Sequence, residues 1–119
     1  MTHHLIDQLR FTRSEWLRAL EGVTEEDAVK RLVPMNSIGW IVGHLAWQEQ
    51  RYWLTIAQGQ TVVPGLTELV GFGRPATTPP LQDMLNAWRT VTTAADPFLD
   101  AFTTEKLEEE VTIRGWTTT

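Results

Sequence analysis

The chain has 119 residues, of which 42% are apolar and 21% are charged, and it carries a formal net charge of −5 with no cysteine. This length suits one globular domain, and the negative charge with scattered basic residues excludes a nucleic-acid-binding surface. The lack of cysteine, of a basic leader and of a long apolar run predicts a cytoplasmic protein without disulfides or a membrane span.

The first part of the chain predicts one long helix and one short helix. Apolar residues recur at helical spacing between about residues 3 and 21, and Gly22 provides a stop. Thr24, followed by three acidic residues, has the form of a capping box that opens a short second helix, which Pro34 should end. The expected core stripe of the first helix consists of Leu5, Leu9, Trp16 and Leu20, with Ile6 and Leu17 beside it.

A second long helix is expected from Asn36 or Ser37 to about Gln58, with Gly59 beyond its end. An advance of about 100° per residue places His44 on the flank of its apolar face. That face should consist of Ile38, Ile41, Val42, Leu45, Tyr52 and Ile56. Residues 59–78 are rich in Gly, Pro and Thr and predict a long connection, a feature that is often functional.

A third long helix should begin at Pro79 with Thr78 as its N-cap. Pro97 points away from its core stripe, so a kink after Thr93 is expected rather than a break. The stripe consists of Leu81, Met84, Leu85, Trp88, Val91, Ala95, Leu99 and Phe102.

The end of the chain predicts a last acidic turn opened by Thr103 or Thr104, and then a short extended segment over residues 111–116. Three long amphipathic helices with one short helix predict an all-α fold, an up-down helical bundle in a single domain over residues 1–119. Six tryptophans are many for so small a core.

His44 is the strongest candidate for chemistry, because imidazole is a common metal ligand and this one flanks the expected core face. The alternative is an imidazole at the edge of the core whose nitrogens are satisfied by a carbonyl or by Gln48. Gln48 and Glu49 are candidates to orient a ligand histidine, and Trp40 and Trp47 are candidates to wall an apolar pocket. Ordinary surface or core roles are the alternatives, which for Glu49 means a contact with an indole N–H, an arginine or solvent.

Three segments carry a family resemblance: residues 23–27, residues 37–46 (Ser-Ile-Gly-Trp-Ile-Val-Gly-His-Leu-Ala), and Leu107 with residues 111–115. From about residue 5 onward they make the chain resemble the DinB-like superfamily of four-helix bundles. That superfamily includes mycothiol-dependent maleylpyruvate isomerases and bacillithiol transferases. The resemblance implies a divalent metal, zinc or nickel, held by one histidine on the second long helix and two on the fourth. His44 matches the first of these, and the other two have no counterpart in residues 1–119.

The resemblance therefore implies a C-terminally incomplete bundle. The complete form would be a metal-dependent thiol transferase, isomerase or hydrolase that acts on a small molecule with a low-molecular-weight thiol as cofactor. The metal would activate the thiol or water as a Lewis acid. The alternative is a non-catalytic module, because three helices shaped for a four-helix core leave an apolar groove. A homodimer, or a partner that supplies the missing helix, would cover that groove.

Overall fold

A computed structural model describes residues 3–31, 35–102, 111–113 and 116–118 of the chain. Its helices are α1 (His4–Ala19), α2 (Glu25–Ala28), α3 (Ile38–Glu49), α4 (Leu66–Val70) and α5 (Leu81–Asp100). A π-helical segment, Gln50–Ile56, directly continues α3, and two short strands, β1 (Val111–Ile113) and β2 (Trp116–Thr118), pair antiparallel. The predicted all-α class with three long helical segments is confirmed.

The chain divides into two compact units, and the division falls inside α5. One unit is Met1–Glu21 with Asp96–Thr119, which holds α1, the end of α5 and the β-hairpin. The other is Gly22–Ala95, which holds α2, α3, the π-helical segment, α4 and most of α5. Every residue of the candidate site belongs to the second unit.

Several helix ends follow the local signals in the sequence. The hydroxyl oxygens of Thr24 and Ser37 each accept a hydrogen bond from the backbone N–H three residues on, at 3.1 and 3.2 Å. Both residues are therefore N-caps, as predicted. Gly22 and Gly59 stop the preceding helices with φ values of 82° and 70°, a region that glycine enters at little cost.

The start of α5 differs from the prediction. The helix begins at Leu81, so Thr78 is not its N-cap. The carboxylate of Glu25 fills this role instead, accepting from the backbone N–H groups of Leu81 and Gln82 at 2.7 and 2.8 Å. A carboxylate is favourable there because the first N–H groups of a helix lack partners and carry partial positive charge. As predicted, α5 runs through Pro97 without a break.

The buried face of α3 is not the predicted one. Its buried residues are Gly39, Val42, Gly43, Ala46 and Trp47. Of the predicted face only Val42 is buried, while Ile41 and Tyr52 are 43% and 45% exposed.

Close backbone approach explains this choice of face. A Cβ at Gly39 would overlap the backbone oxygen of Pro79, and a Cβ at Gly43 would overlap the Sδ of Met84. The small residues therefore let α3 approach the start of α5 more closely than a face of Ile and Leu would permit. The two elements pack densely because they lie close together, not because large side chains fill the space between them.

The stripe of α5 is largely as predicted, while that of α1 is not. In α5 all the predicted members except Leu85 and Phe102 are buried, and these two are half-buried. In α1 only Ile6 is buried, and Leu5 is 43% exposed.

Residues 59–78 are not a plain connection, because they contain α4, which packs against α3. Leu66 and Val70 of α4 are buried. Gly65, with φ 90°, lets the chain turn into the helix. The prediction of a long connecting loop was therefore wrong over α4.

The single extended segment predicted over residues 111–116 is instead part of two short antiparallel strands, in which Ile113 lies opposite Trp116. The predictions for Pro34 and for a helical turn at Thr103 or Thr104 lie outside the described residues. Among the described residues, no helix has the length and apolar character needed to cross a membrane.

Candidate functional site

Both ring nitrogens of His44 have hydrogen-bond partners. Nδ1 lies 2.7 Å from the backbone oxygen of Val70, at the end of α4. Because a carbonyl oxygen only accepts, Nδ1 must carry the hydrogen, and the neutral ring then has its lone pair on Nε2. That nitrogen lies 3.2 Å from the side-chain nitrogen of Gln48, which donates to it. The protein backbone thus selects one tautomer and presents Nε2 as the basic atom.

Two indoles fix the orientation of the His44 imidazole ring. The ring of Trp40, one turn earlier, stacks on His44 with centroids 4.7 Å apart and an interplanar angle of 11°. The ring of Trp47, on the following turn, lies 5.3 Å away at 32°. Trp47 is itself anchored, because its Nε1 donates to the hydroxyl of Thr67 in α4 at 2.9 Å. Spacings of three and four residues bring these rings together on one side of α3.

A cation extends this row of rings. The guanidinium of Arg51 lies over the rings of Trp47 and Tyr52, 5.5 and 5.7 Å from their centroids. Both distances fall within the range of a cation–π attraction. One side of α3 and the π-helical segment therefore presents, in chain order, Trp40, His44, Trp47 and Arg51.

Glu49 does not join this group. Its carboxylate accepts a hydrogen bond from the Nε1 of Trp53 at 3.2 Å, which is the indole contact named above as the alternative. Of the side chains predicted to surround His44, the structure brings Gln48, Trp40 and Trp47 to it and leaves Glu49 elsewhere on the helix.

A family model for the DinB superfamily matches residues 8–119. The chain belongs to the DinB superfamily. No curated protein and no solved structure matches it in the same comparisons.

Within the described residues of this DinB domain, His44 is the candidate metal ligand, and no full ligand set accompanies it. His44 fits the role, because metal-binding histidines usually donate their other ring N–H to a carbonyl or carboxylate, as Nδ1 does to Val70. A protein metal site usually needs three or more ligands. No cluster of three His, Cys, Asp or Glu side chains suited to a metal occurs within the described residues.

A carbonyl partner for His44 in the DinB domain was among the alternatives expected from the sequence, but its identity as the Val70 carbonyl was not. Thr67 and Arg51 were missed altogether. A backbone carbonyl has no side-chain signature, so no pattern could have selected Val70. A signal for α4 did exist, since Leu66, Leu69 and Val70 have the i, i+3, i+4 spacing of a helical face. The glycine and proline content around them obscured it.

Proposed function

We propose that this DinB domain provides Nε2 of His44 as one ligand of a divalent metal ion, zinc or nickel, in a metal-dependent enzyme. The observation that carries the proposal is the 2.7 Å contact between Nδ1 of His44 and the carbonyl oxygen of Val70. It leaves the unprotonated nitrogen on the opposite edge of the ring, which is the form of imidazole that binds metals. Membership of the DinB superfamily supports the same role.

The side chains around His44 have distinct parts in this proposal. Gln48 donates to Nε2 and would have to turn away for an ion to bind. Trp40 and Trp47 fix the ring plane, so that Nε2 keeps one direction. The other ligands come from groups that the described residues do not include.

A bound metal would act as a Lewis acid toward a thiol or water. Family membership makes transfer or isomerisation of a small electrophile with a low-molecular-weight thiol, or a hydrolysis, the reaction class we propose. The cytoplasmic location expected from the sequence remains a prediction.

Metal analysis of purified protein tests the metal proposal. After dialysis against zinc or nickel, we expect His44→Ala to retain clearly less metal than the parent chain. His4→Ala is the matched control, because His4 is an exposed imidazole at the start of α1 and reports adventitious binding. Equal metal content in the parent, His44→Ala and His4→Ala would reject His44 as a ligand.

A second candidate function is favoured by the apolar side chains that α3 and the π-helical segment leave exposed. Ile41 and Tyr52 are 43% and 45% exposed. Such residues would fit a non-catalytic module that binds a helix, either in a homodimer or from another protein. Light scattering on the parent and on Ile41→Glu tests self-association, with exposed Thr93→Glu in α5 as the control. A monomeric parent would exclude the homodimer.

A further inference from the structure

Gln50, the first residue of the π-helical segment, has a buried polar side chain and is not among the residues described around His44. It is only 4% exposed. Its Oε1 accepts from the backbone N–H groups of Val62 and Val63 at 3.1 and 2.7 Å. Its Nε2 donates to the backbone oxygen of Val63 at 3.0 Å. One amide thus holds both backbone polar groups of Val63, much as a neighbouring strand would.

The residues held by Gln50 lead directly into α4. Two residues after Val63 comes Gly65, and α4 follows as Leu66–Val70. A helix of five residues has no stability of its own, so its position depends on its anchors. Those anchors include the buried side chains of Leu66 and Val70, the Thr67–Trp47 hydrogen bond near its middle, and the hydrogen bond from the Thr77 hydroxyl to the Leu69 carbonyl near its end. The hydrogen bonds of Gln50 to Val62 and Val63 anchor the chain that enters it.

The far end of α4 carries the carbonyl that selects the tautomer of His44. The contact between Val70 O and Nδ1 is 2.7 Å. A displacement of α4 by about 1 Å away from the ring would lengthen it beyond the usual range for an N–H···O hydrogen bond. The ring proton would then be free to move to Nε2, and Nε2 would lose its lone pair.

We propose that Gln50 is a positioning residue for His44, acting through Val62, Val63 and α4 to keep the proton on Nδ1. The π-helical geometry that begins at Gln50 supports this assignment, because such segments are rare and occur frequently at functional sites. The proposal deepens the proposed function, on which it rests for the identity of the group that Nε2 binds. The effect on the ring itself is independent of any metal.

The test is the ¹⁵N NMR spectrum of the histidine ring nitrogens in metal-free protein, with the His44 signals assigned by their loss in His44→Ala. In the parent we expect a protonated Nδ1, an unprotonated Nε2 and a slowly exchanging Hδ1. In Gln50→Leu, which has a similar side-chain size and no amide, we expect mixed tautomers and at least roughly tenfold faster exchange of Hδ1. Unchanged His44 signals in a folded Gln50→Leu variant would overturn the proposal.

The matched control is Gln58→Leu. Gln58 also donates to a backbone oxygen, that of Trp53 at 2.7 Å, but it is exposed, and this hydrogen bond is to the π-helical segment rather than to the chain before α4. It should leave the His44 signals as in the parent, and a change as large as that in Gln50→Leu would refute a specific role for Gln50. If Gln50→Leu does not fold, Gln50→Glu replaces it. Ionised Glu keeps the two accepted hydrogen bonds but places a carboxylate oxygen against the Val63 carbonyl in place of the donated one, so a change in the same direction is expected, and no change would overturn the proposal.

A metal titration separates this inference from the proposed function. If His44 binds metal, Gln50→Leu should weaken zinc binding about 10- to 100-fold, as loss of groups that orient a ligand typically does. If neither protein binds zinc but the ring signals differ as expected, the metal proposal fails and the positioning role stands. If both bind zinc equally and the ring signals are alike, the positioning role fails and the metal proposal stands.

Discussion

The imidazole of His44 lies nearly parallel to the indole of Trp40, with the ring centroids 4.7 Å apart. That indole has a buried Nε1 without a hydrogen-bond partner among the described residues. Trp47 contacts the same imidazole from the following turn, but its Nε1 donates to Thr67. The two indoles that pack on this imidazole thus differ in one hydrogen bond, and mutation can measure what that bond contributes to stability.

We expect Trp47→Phe to lower the free energy of unfolding more than Trp40→Phe, by about 1 kcal/mol. Both changes remove ring surface from around His44. Only Trp47→Phe also removes a hydrogen bond, whereas Trp40→Phe removes a buried donor that has no partner within the described part of the chain. Urea unfolding followed by circular dichroism measures the difference.

Thr67→Val is the control for this comparison. It should destabilise the Trp40→Phe protein by about 1 kcal/mol, because the Trp47 N–H loses its acceptor. In the Trp47→Phe protein, where no such hydrogen bond exists, it should have little effect. An equal effect of Thr67→Val in both backgrounds would show that the contact does not contribute to stability.

The two glycines of α3 that face α5 should differ in their tolerance of alanine. A Cβ at Gly39 meets a backbone oxygen, that of Pro79, which cannot move without displacing the start of α5. We expect Gly39→Ala to destabilise the protein by about 1–3 kcal/mol, the usual cost of overpacking. Thermal unfolding of the single variants measures it.

Gly43→Ala is the matched comparison. The atoms nearest its added Cβ belong to the side chains of Met84 and Val70, and the methionine can change rotamer. The better helix propensity of alanine, worth about 1 kcal/mol, offsets part of the remaining strain. A Gly43→Ala variant that is less stable than Gly39→Ala would contradict this account of the α3–α5 contact.

Glu25 should contribute to stability through α5 rather than through its own short helix. Glu25→Ala leaves the backbone N–H groups of Leu81 and Gln82 without their carboxylate, so we expect a loss of about 1–2 kcal/mol in the free energy of unfolding. Glu26→Ala is the control, because Glu26 is exposed in the same first turn of α2. Equal losses for the two variants in urea unfolding would mean that Glu25 stabilises the protein only through its negative charge near α2 and not through its hydrogen bonds to α5.

These contacts indicate why some of the fold could be predicted. Thr24 and Ser37 cap helices through atoms three residues away, and Gly22 and Gly59 adopt conformations that depend on their own φ. Such information is local, so a short window of sequence contains it. The α5 stripe was predictable for a related reason, since its apolar residues follow one clear period.

The face of α3 could not be predicted from periodicity, because apolar residues occur all round the helix. Gly39 and Gly43 decided the face by permitting close approach, and a hydrophobicity pattern counts glycine as neutral. The π-helical segment was equally hidden, because it depends on contacts such as those of Gln50 with Val62 and Val63. The switch to π-helical geometry also ends the constant advance per residue on which the predicted face relied.

His44 itself was predictable as the candidate residue, whereas its environment was only partly so. Gln48, Trp40 and Trp47 are near in sequence and follow from helical spacing. The Val70 carbonyl lies 26 positions away in the sequence, and the carboxylate that caps α5 lies 56 positions from Leu81. Both are tertiary contacts with no sequence pattern of their own.

An ion pair in the other unit permits a prediction about pH. The guanidinium of Arg10 lies 2.8 Å from the carboxylate of Asp100 and 3.3 Å from that of Asp96. The hydrogen bond to Asp100 raises the pKa of Arg10 above its already high ordinary value. A raised pKa in the folded state means that the stabilisation is fully present below that ordinary value and is lost only as the pH rises through the folded-state pKa.

A double-mutant cycle of Arg10→Met and Asp100→Asn should therefore give the same coupling energy at about pH 7 and about pH 10. Because these side chains are 31% and 61% exposed, we expect a coupling of only about 0.2–1 kcal/mol, reduced further at about 1 M salt. The Arg18–Glu15 pair, 3.2 Å apart and with Arg18 71% exposed, is the control and should couple more weakly. A coupling that disappears between the two pH values would show that the Arg10–Asp100 pair is not the source of the stabilisation.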